Sequence, residues 1–272
     1  MSITSKQSRV TVRSLQAMKE RGEKIVMLTA YDASFAAILE AAGVDVILVG
    51  DSLSNVIQGH DSTLPVTMED VLYHTRAVAR ASRQSLLMAD MPFMSYWSVE
   101  VALQNAARLL KEAGAQAVKL EWTQAQPDIV AALSREGIPV CAHLGLRPQA
   151  VHKTGGYQVQ GRDKETATEL LIQAQRVESA GADMLLLEAI PAPLAADITQ
   201  RVRIPVIGIG AGVACDGQVL VLYDVLGISA GPAPRFAKNF LQQSGSVEAA
   251  VKSYVQAVKA GIFPAAEHTY QK

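Results

Sequence analysis

Cysteine is scarce in this chain: Cys141 and Cys215 are the only two in 272 residues. No CxxC pair and no Cys/His cluster occurs, so there is no disulfide framework or thiolate zinc site to read. So few thiols fit a reducing cytoplasm, the expected location. Aromatic residues are also rare, at 5%, and charged residues make up 19%, below the usual ~25%. Neither sign of charge dominates: 25 Lys+Arg face 26 Asp+Glu, a formal net charge of −1. That leaves no electrostatic footprint for nucleic acid or an anionic membrane. No uninterrupted apolar run reaches the ~18 residues of a spanning helix.

What is plentiful is Ala, Val and Leu, within a hydrophobic fraction of 49%. A chain this long can bury a full core without staples. Residues 1–10 read as a flexible polar leader. Their Ser, Thr, Lys6 and Arg9 weakly resemble a transit peptide, but there is no apolar core of a signal sequence.

Two kinds of segment alternate along the rest. Short runs rich in Val, Ile and Leu read as buried strands: 24–30, 44–50, 85–89, 115–120, 138–143, 182–187, 204–209 and 218–223. Ala-rich stretches with helical periodicity come after them, at 33–42, 68–82, 99–113, 128–135, 165–180, 194–201 and 246–260. Near-continuous apolar strands are covered on both faces, as in a parallel sheet. About eight strand–helix units fit a closed (β/α)8 TIM barrel with a C-terminal helical extension; a doubly wound sheet is the alternative. No Pro/Ser/Gly-rich linker interrupts the series, so residues 1–272 read as a single catalytic domain.

A partial repeat supports this. AAGVDVILVGD, EAGAQAVKLE and SAGADMLLLEA each run from a helix ending at Gly43, Gly114 or Gly181 into a strand ending at Asp51, Glu121 or Glu188. Glycine suits the left-handed cap that ends such helices.

In parallel α/β folds ligands bind at the carboxyl ends of the strands. Polar residues there are Tyr31, Asp32, Asp51, Ser52, Asp90, Lys119, Glu121, His143 and Glu188. An apolar strand needs no acid at its end to fold. Five acids converging on one mouth repel one another unless a positive group sits among them. Mg²⁺, which takes carboxylate and water oxygens, is the economical answer. Each residue also has a structural reading. Asp51 and Asp90 could cap the next segment of chain, Lys119 and Glu121 could be a solvated pair, and His143 could be a satisfied core histidine. Lys119 and Glu121 are two apart and share a strand face. Glu188 ends the apolar run MLLLE, where desolvation raises a carboxylate pKa and suits a general base. The glycines of 208–212 either cradle a phosphate or allow close packing, and no phosphate is claimed from them. The polar stretches 50–67 and 147–163 read as loops over the mouth, the former with His60, Asp61, Ser62 and Thr63.

Those loops carry a resemblance. GDSLSNVIQGHDSTLPVT, LLMADMPF, KLE, HLGLRPQ, GGYQVQGR, IPVIGIGAG, CDGQVLVLYD and FAKNF occur in that order between about Thr11 and His268. Together they closely resemble the ketopantoate hydroxymethyltransferase family. One departure is visible: the family usually reads GDSLG, and Ser54 stands at the last position here. The resemblance implies a barrel of the phosphoenolpyruvate mutase and isocitrate lyase superfamily. It implies transfer of a one-carbon unit from 5,10-methylenetetrahydrofolate to 3-methyl-2-oxobutanoate, giving 2-dehydropantoate, through a Mg²⁺-stabilised enolate. At matching positions Asp51 and Asp90 would ligate one Mg²⁺ per subunit, with Glu121 a further ligand. Ser52, Asp51, Asp90 and Lys119 would contact the oxo acid, and Glu188 would accept the proton, with His143 and Tyr31 as additional candidates. Cytoplasmic homo-oligomers, typically decamers, are implied as well.

Two rival readings stay open at this level. A Mg²⁺-dependent 2-oxo-acid lyase, aldolase or mutase of the same superfamily usually carries a Cys-containing KxCGH-type loop, which is absent here. A non-catalytic barrel that binds a small acid or serves as a scaffold would not need a metal site and a base together.

Overall fold

Eight parallel strands close on themselves in chain order in the computed structural model, which describes residues 8–123 and 126–271. They are β1 (Ile25–Thr29), β2 (Val46–Val49), β3 (Leu86–Asp90), β4 (Ala117–Glu121), β5 (Val140–Gly145), β6 (Met184–Glu188), β7 (Val206–Ile209) and β8 (Gly217–Leu220). Strand β1 pairs with β2 on one side and with β8 on the other, so no edge remains. The strands are buried almost throughout, as continuous apolar runs require when the barrel interior fills one face and helices cover the other.

Helices form that outer layer: α1 (Val12–Glu20), α2 (Ala33–Ala42), α3 (Leu53–Val56), α4 (Met68–Ala81), α5 (Val99–Lys111), α6 (Pro127–Arg135), α7 (Val151–Thr154), α8 (Lys164–Ser179), α9 (Ala192–Arg201), α10 (Leu222–Leu226), α11 (Leu241–Ser244) and α12 (Val247–Lys259). Helix α12 is the expected C-terminal extension. It packs on β1, α2 and α10, and its Tyr254 hydroxyl lies 3.1 Å from the Met27 and Gln218 carbonyls that accept from it. The three repeat glycines, Gly43, Gly114 and Gly181, all adopt positive φ, between 82° and 93°.

Three details differ from the sequence reading. Residues 12–20 form a helix, capped by the Thr11 side chain, where none was expected. The eighth strand is shorter than 218–223: Leu222 donates its N–H to Thr29 Oγ1, and the apolar Leu222–Leu226 segment coils into α10, ended by the left-handed Gly227. Short apolar runs do not distinguish the two states by periodicity, and here the side-chain acceptor on β1 ends the ladder. The expected leader, 1–10, falls outside the described residues over 1–7. Its last residues are tied down, with Val10 N–H donating to Gln84 O at 2.6 Å and Arg9 to Arg83 O at 3.0 Å.

The glycines of 208–212 serve packing. A Cβ on Gly210 would stand 2.9 Å from Phe236, and one on Gly212 would stand 2.6 Å from Ala192. Among the described residues, no helix is long and apolar enough to cross a membrane.

Candidate active site

Strand register brings the polar residues together. Asp90 and Lys119 are direct partners across β3 and β4, and Glu121 stands beside His143 across β4 and β5. Side chains alternate along a strand, so Asp90, Lys119, His143 and Glu188 all point into the barrel. With Asp51 and Ser52 just past β2, they line one cavity of about 410 Å³ at the carboxyl ends of the strands. Thr29, Leu48, Leu186, Ile209 and Val219 supply much of its apolar wall and floor.

The charges in this mouth are buried and unequal in number. Lys119 Nζ pairs with Asp90 Oδ1, and both side chains are almost fully enclosed. The other Asp90 oxygen accepts the Asp51 backbone N–H at 2.9 Å. Burial pushes the Asp90 carboxyl up to about 6, against the pull of Lys119. Burial acts to lower the Lys119 pKa, but Asp90 and Asp51 outweigh it, so the ammonium stays charged. Glu188 is pushed up to about 8, chiefly by burial and partly by Asp51. Glu121 also rises to about 8, for the same two reasons.

Local backbone holds Glu188 in place. Ala189, directly after it, has φ of 47°, an uncommon and strained value for a residue with a side chain. Its N–H donates to Ile209 O and its carbonyl accepts from Gln160 N–H, both at 2.9 Å, so neighbouring segments maintain the conformation. Gly145 of β5 (φ 92°) passes so near that a Cβ there would stand 2.2 Å from Glu188 O. Only glycine lets the two strands close at this height.

His143 Nε2 lies 3.2 Å from Glu188 Oε2. Both ring nitrogens are buried without a well-formed hydrogen bond. Burial, helped by Lys119, lowers the His143 pKa well below its ordinary value, so the imidazole is neutral. It therefore supplies no positive charge to Glu188, and it is not a satisfied core histidine.

The remaining expected residues divide. Tyr31 is buried behind the wall, and its hydroxyl meets Ser52 Oγ at 2.8 Å, so it supports the cavity without lining it. Asp32 caps α2, its side chain accepting from Phe35 N–H at 3.0 Å. Glu121 lines a second, larger cavity of about 1090 Å³ on the other side of the β4 and β5 ends. Thr63 and Asn55 of the 50–67 segment reach the first cavity, but His60 and Asp61 are exposed and lie outside it. Part of that segment is helical, as α3. From the 147–163 segment, Tyr157 lines the first cavity.

Two contributors escaped the sequence reading. Asp224 lines the cavity from α10, hidden by the assignment of 218–223 to a strand. Gln149, in a 3-10 turn at Pro148–Ala150, is buried between Asp51 and Glu121. Its only sequence signal is a place in HLGLRPQ, a few residues past a strand end.

Fold and site together define a (β/α)8-barrel with acids, a lysine and a buried histidine at the carboxyl end of the barrel, the arrangement of a barrel enzyme acting on a small polar substrate. Comparison with known proteins narrows the class. The model of the ketopantoate hydroxymethyltransferase family matches residues 9–266. The 3-methyl-2-oxobutanoate hydroxymethyltransferase of Alkalilimnicola ehrlichii is 58% identical over 96% of this chain and 94% of its own. That of Marinobacter nauticus is 58% identical over 96% and 99%. The chain belongs to the ketopantoate hydroxymethyltransferase family and is an enzyme, a hydroxymethyltransferase. Among solved structures, a 2,3-dimethylmalate lyase described as a PEP mutase/isocitrate lyase superfamily member superposes with a TM-score of 0.58. It is 18% identical over 79% of this chain and 82% of its own, so that likeness speaks for the fold.

Proposed function

We propose that the enzyme transfers a one-carbon unit from 5,10-methylenetetrahydrofolate to C3 of 3-methyl-2-oxobutanoate. Water supplies the hydroxyl oxygen, tetrahydrofolate leaves, and the product is 2-dehydropantoate, on the route to pantothenate and coenzyme A. The observation that carries this reading is the meeting of Asp51, Asp90, Lys119 and Glu188 in one cavity of about 410 Å³.

The donor set fits a divalent cation. Asp51, Asp90, Glu121 and Glu188 crowd around Lys119, and Glu121 and Glu188 are pushed up because burial and Asp51 disfavour their ionised forms, a penalty that a dication offsets. Among the described residues no three Asp, Glu, His or Cys side chains stand close enough to enclose a metal by themselves. Mg²⁺ does not need that, since one or two carboxylates, waters and substrate oxygens complete its shell. Asp51 and Asp90 would hold it, and Glu121, facing the adjoining cavity, fits a water-mediated role. When bound, the ion supplies Lewis-acid stabilisation of the enolate oxygen that forms as C3 loses its proton.

The chain's own groups do the rest. Lys119 and the Ser52 hydroxyl, both lining the cavity, are donors to the oxo-acid oxygens. The fixed positive charge of Lys119 favours negative charge developing there, and the low-dielectric wall strengthens the effect. Leu48, Leu186, Ile209 and Val219 accommodate the branched carbon end and limit water access. Glu188 accepts the C3 proton. A carboxylate pushed up to about 8 is a far stronger base, once ionised, than one in water. Neutral His143 at 3.2 Å can steady the carboxylic acid that results.

The direct test is formation of 2-dehydropantoate from the oxo acid and methylenetetrahydrofolate, with Mg²⁺ and with excess chelator. Product that depends on the cation is expected. Undiminished product under chelation would remove the cation from the reading, and no product under any condition would remove the reaction.

A further inference from the structure

The wall between the two cavities is built around one amide. Gln149 uses all its polar atoms apart from its backbone carbonyl there. Its backbone N–H donates to Glu121 Oε1 at 2.8 Å. Its side-chain Nε2 donates to Asp51 Oδ2 at 2.9 Å and to the Met91 carbonyl at 3.1 Å. Its Oε1 accepts from the Tyr96 hydroxyl at 2.5 Å. This single residue, beyond the end of β5, thus ties the ends of β2, β3 and β4 together, and it is 6% exposed.

The amide can face only one way. Turned over, its carbonyl oxygen would meet a carboxylate and a backbone carbonyl, two acceptors with no proton to share. Tyr96 enforces the orientation by donating to Oε1. It remains a donor because burial, with Glu121 nearby, raises its phenol well above the ordinary value. Gln149 occupies one oxygen of Asp51 and one of Glu121. Among the described residues the other oxygen of each, Asp51 Oδ1 and Glu121 Oε2, takes no hydrogen bond.

We propose that Gln149, locked by Tyr96, is the positioning residue that fixes the Asp51 and Glu121 carboxylates and decides which oxygen of each is left free for the cation. The proposal rests on the cation reading above. It adds a residue that touches neither substrate nor metal, yet sets how tightly the metal is held.

Metal titration of the purified protein, by calorimetry with Mg²⁺ or by the electron-spin signal of Mn²⁺, tests it without turnover. Outer-shell partners of metal ligands typically govern ~10–100-fold in affinity. Gln149→Leu should weaken binding by about that factor. Tyr96→Phe, which removes a single hydroxyl, should weaken it by about fivefold, the worth of one neutral hydrogen bond. Turnover of both variants should recover as Mg²⁺ is raised, whereas a damaged fold gives a loss that no metal concentration restores. A folded Gln149→Leu that binds within twofold of the parent overturns the proposal. If Gln149→Leu does not fold, Tyr96→Phe decides in the same way. A parent protein that binds no cation, matched by Asp90→Asn, would instead overturn the cation reading underneath.

Discussion

The two rims of the barrel carry the same residue types and treat them in opposite ways. At the amino-terminal rim each acid is satisfied. Asp45 accepts Val26 N–H at 2.8 Å and pairs with Lys259, Asp183 accepts Val140 N–H at 2.9 Å, and Asp216 accepts Val206 N–H at 2.8 Å and pairs with Lys19. Gln116, at the equivalent repeat position, accepts Leu87 N–H at 2.8 Å. These side chains accept an N–H from the first or second residue of a strand, which is a structural task. At the carboxyl-terminal rim, buried acids crowd around Lys119, and a buried histidine lacks a well-formed hydrogen bond. Folding alone does not favour that arrangement, since buried charge without full pairing costs stability. The difference is the one expected if the proposed active site lies at the upper rim.

The largest effect expected from this contrast is at Glu188. Glu188→Gln keeps the shape and removes the proton acceptor. General base catalysis is typically worth ~10²–10⁴-fold, so turnover should fall by roughly that factor while the oxo acid and Mg²⁺ still bind. Exchange of the C3 hydrogen with solvent deuterium, measured without folate, isolates proton removal. Exchange at the parent rate would shift the base to His143, 3.2 Å away.

A matched pair of substitutions sharpens the comparison between rims. Asp90→Asn leaves Lys119 buried without its counter-ion, which typically costs about 3–5 kcal/mol, and it should also abolish tight Mg²⁺ binding. Asp183→Ala leaves one strand N–H unpaired, for about 1–3 kcal/mol, and should spare the kinetic constants. Urea unfolding beside steady-state kinetics checks both. If Asp183→Ala lowered kcat as far as Asp90→Asn, the division of labour between the rims would be wrong.

Acidity gives an effect with a definite sign. Glu121 and Glu188 are held up to about 8 by burial, against roughly 4.3 for a free glutamate. Between those values the folded protein holds protons that the unfolded chain has released. Stability is therefore full below pH ~4.3 from these groups and falls as pH rises towards 8, by at most about 1.4 kcal/mol per unit and group. Thermal midpoints of metal-free protein from pH 5 to 8.5 should decline. Mg²⁺ should flatten the curve, as should Glu121→Gln with Glu188→Gln. An unchanged slope in the double variant would place its origin elsewhere.

Much of the upper rim was legible because an acid at the end of a buried run has no reason to be there for folding. That logic located Asp51, Asp90, Glu121 and Glu188, and the repeat glycines set the strand starts. It could not say that Glu121 opens on the neighbouring cavity, because two inward residues on one strand can face different sides of a wall built by a later turn. Gln149 was illegible for a related reason. Its partners lie 98 and 28 residues away in the chain, and an amide has no charge or spacing pattern to announce it. The strand 218–223 misled because Val221, Leu222 and Tyr223 are apolar in either state, and Thr29 on another strand decides between them.

The smallest expected effect is at Ser54, where the family pattern has glycine. Its hydroxyl is buried and donates to Ser62 O at 2.6 Å, and its own carbonyl accepts from His60 N–H at 2.9 Å. The two bonds cross-link α3 to the loop that carries Thr63 to the cavity, which a glycine could do with the carbonyl alone. Ser54→Gly should therefore lose one hydrogen bond, about 1 kcal/mol, and gain backbone freedom at the same position. Little of this reaches the rest of the barrel, because the loop is otherwise joined to it by few bonds, so the global midpoint should move by no more than a few degrees. Amide hydrogen exchange across 57–66 should speed up several-fold while that of the strands stays put. Equal acceleration in β2 and β3 would mean that the tether stabilises the barrel rather than the loop, and Ser54 would then belong with the satisfied groups of the lower rim.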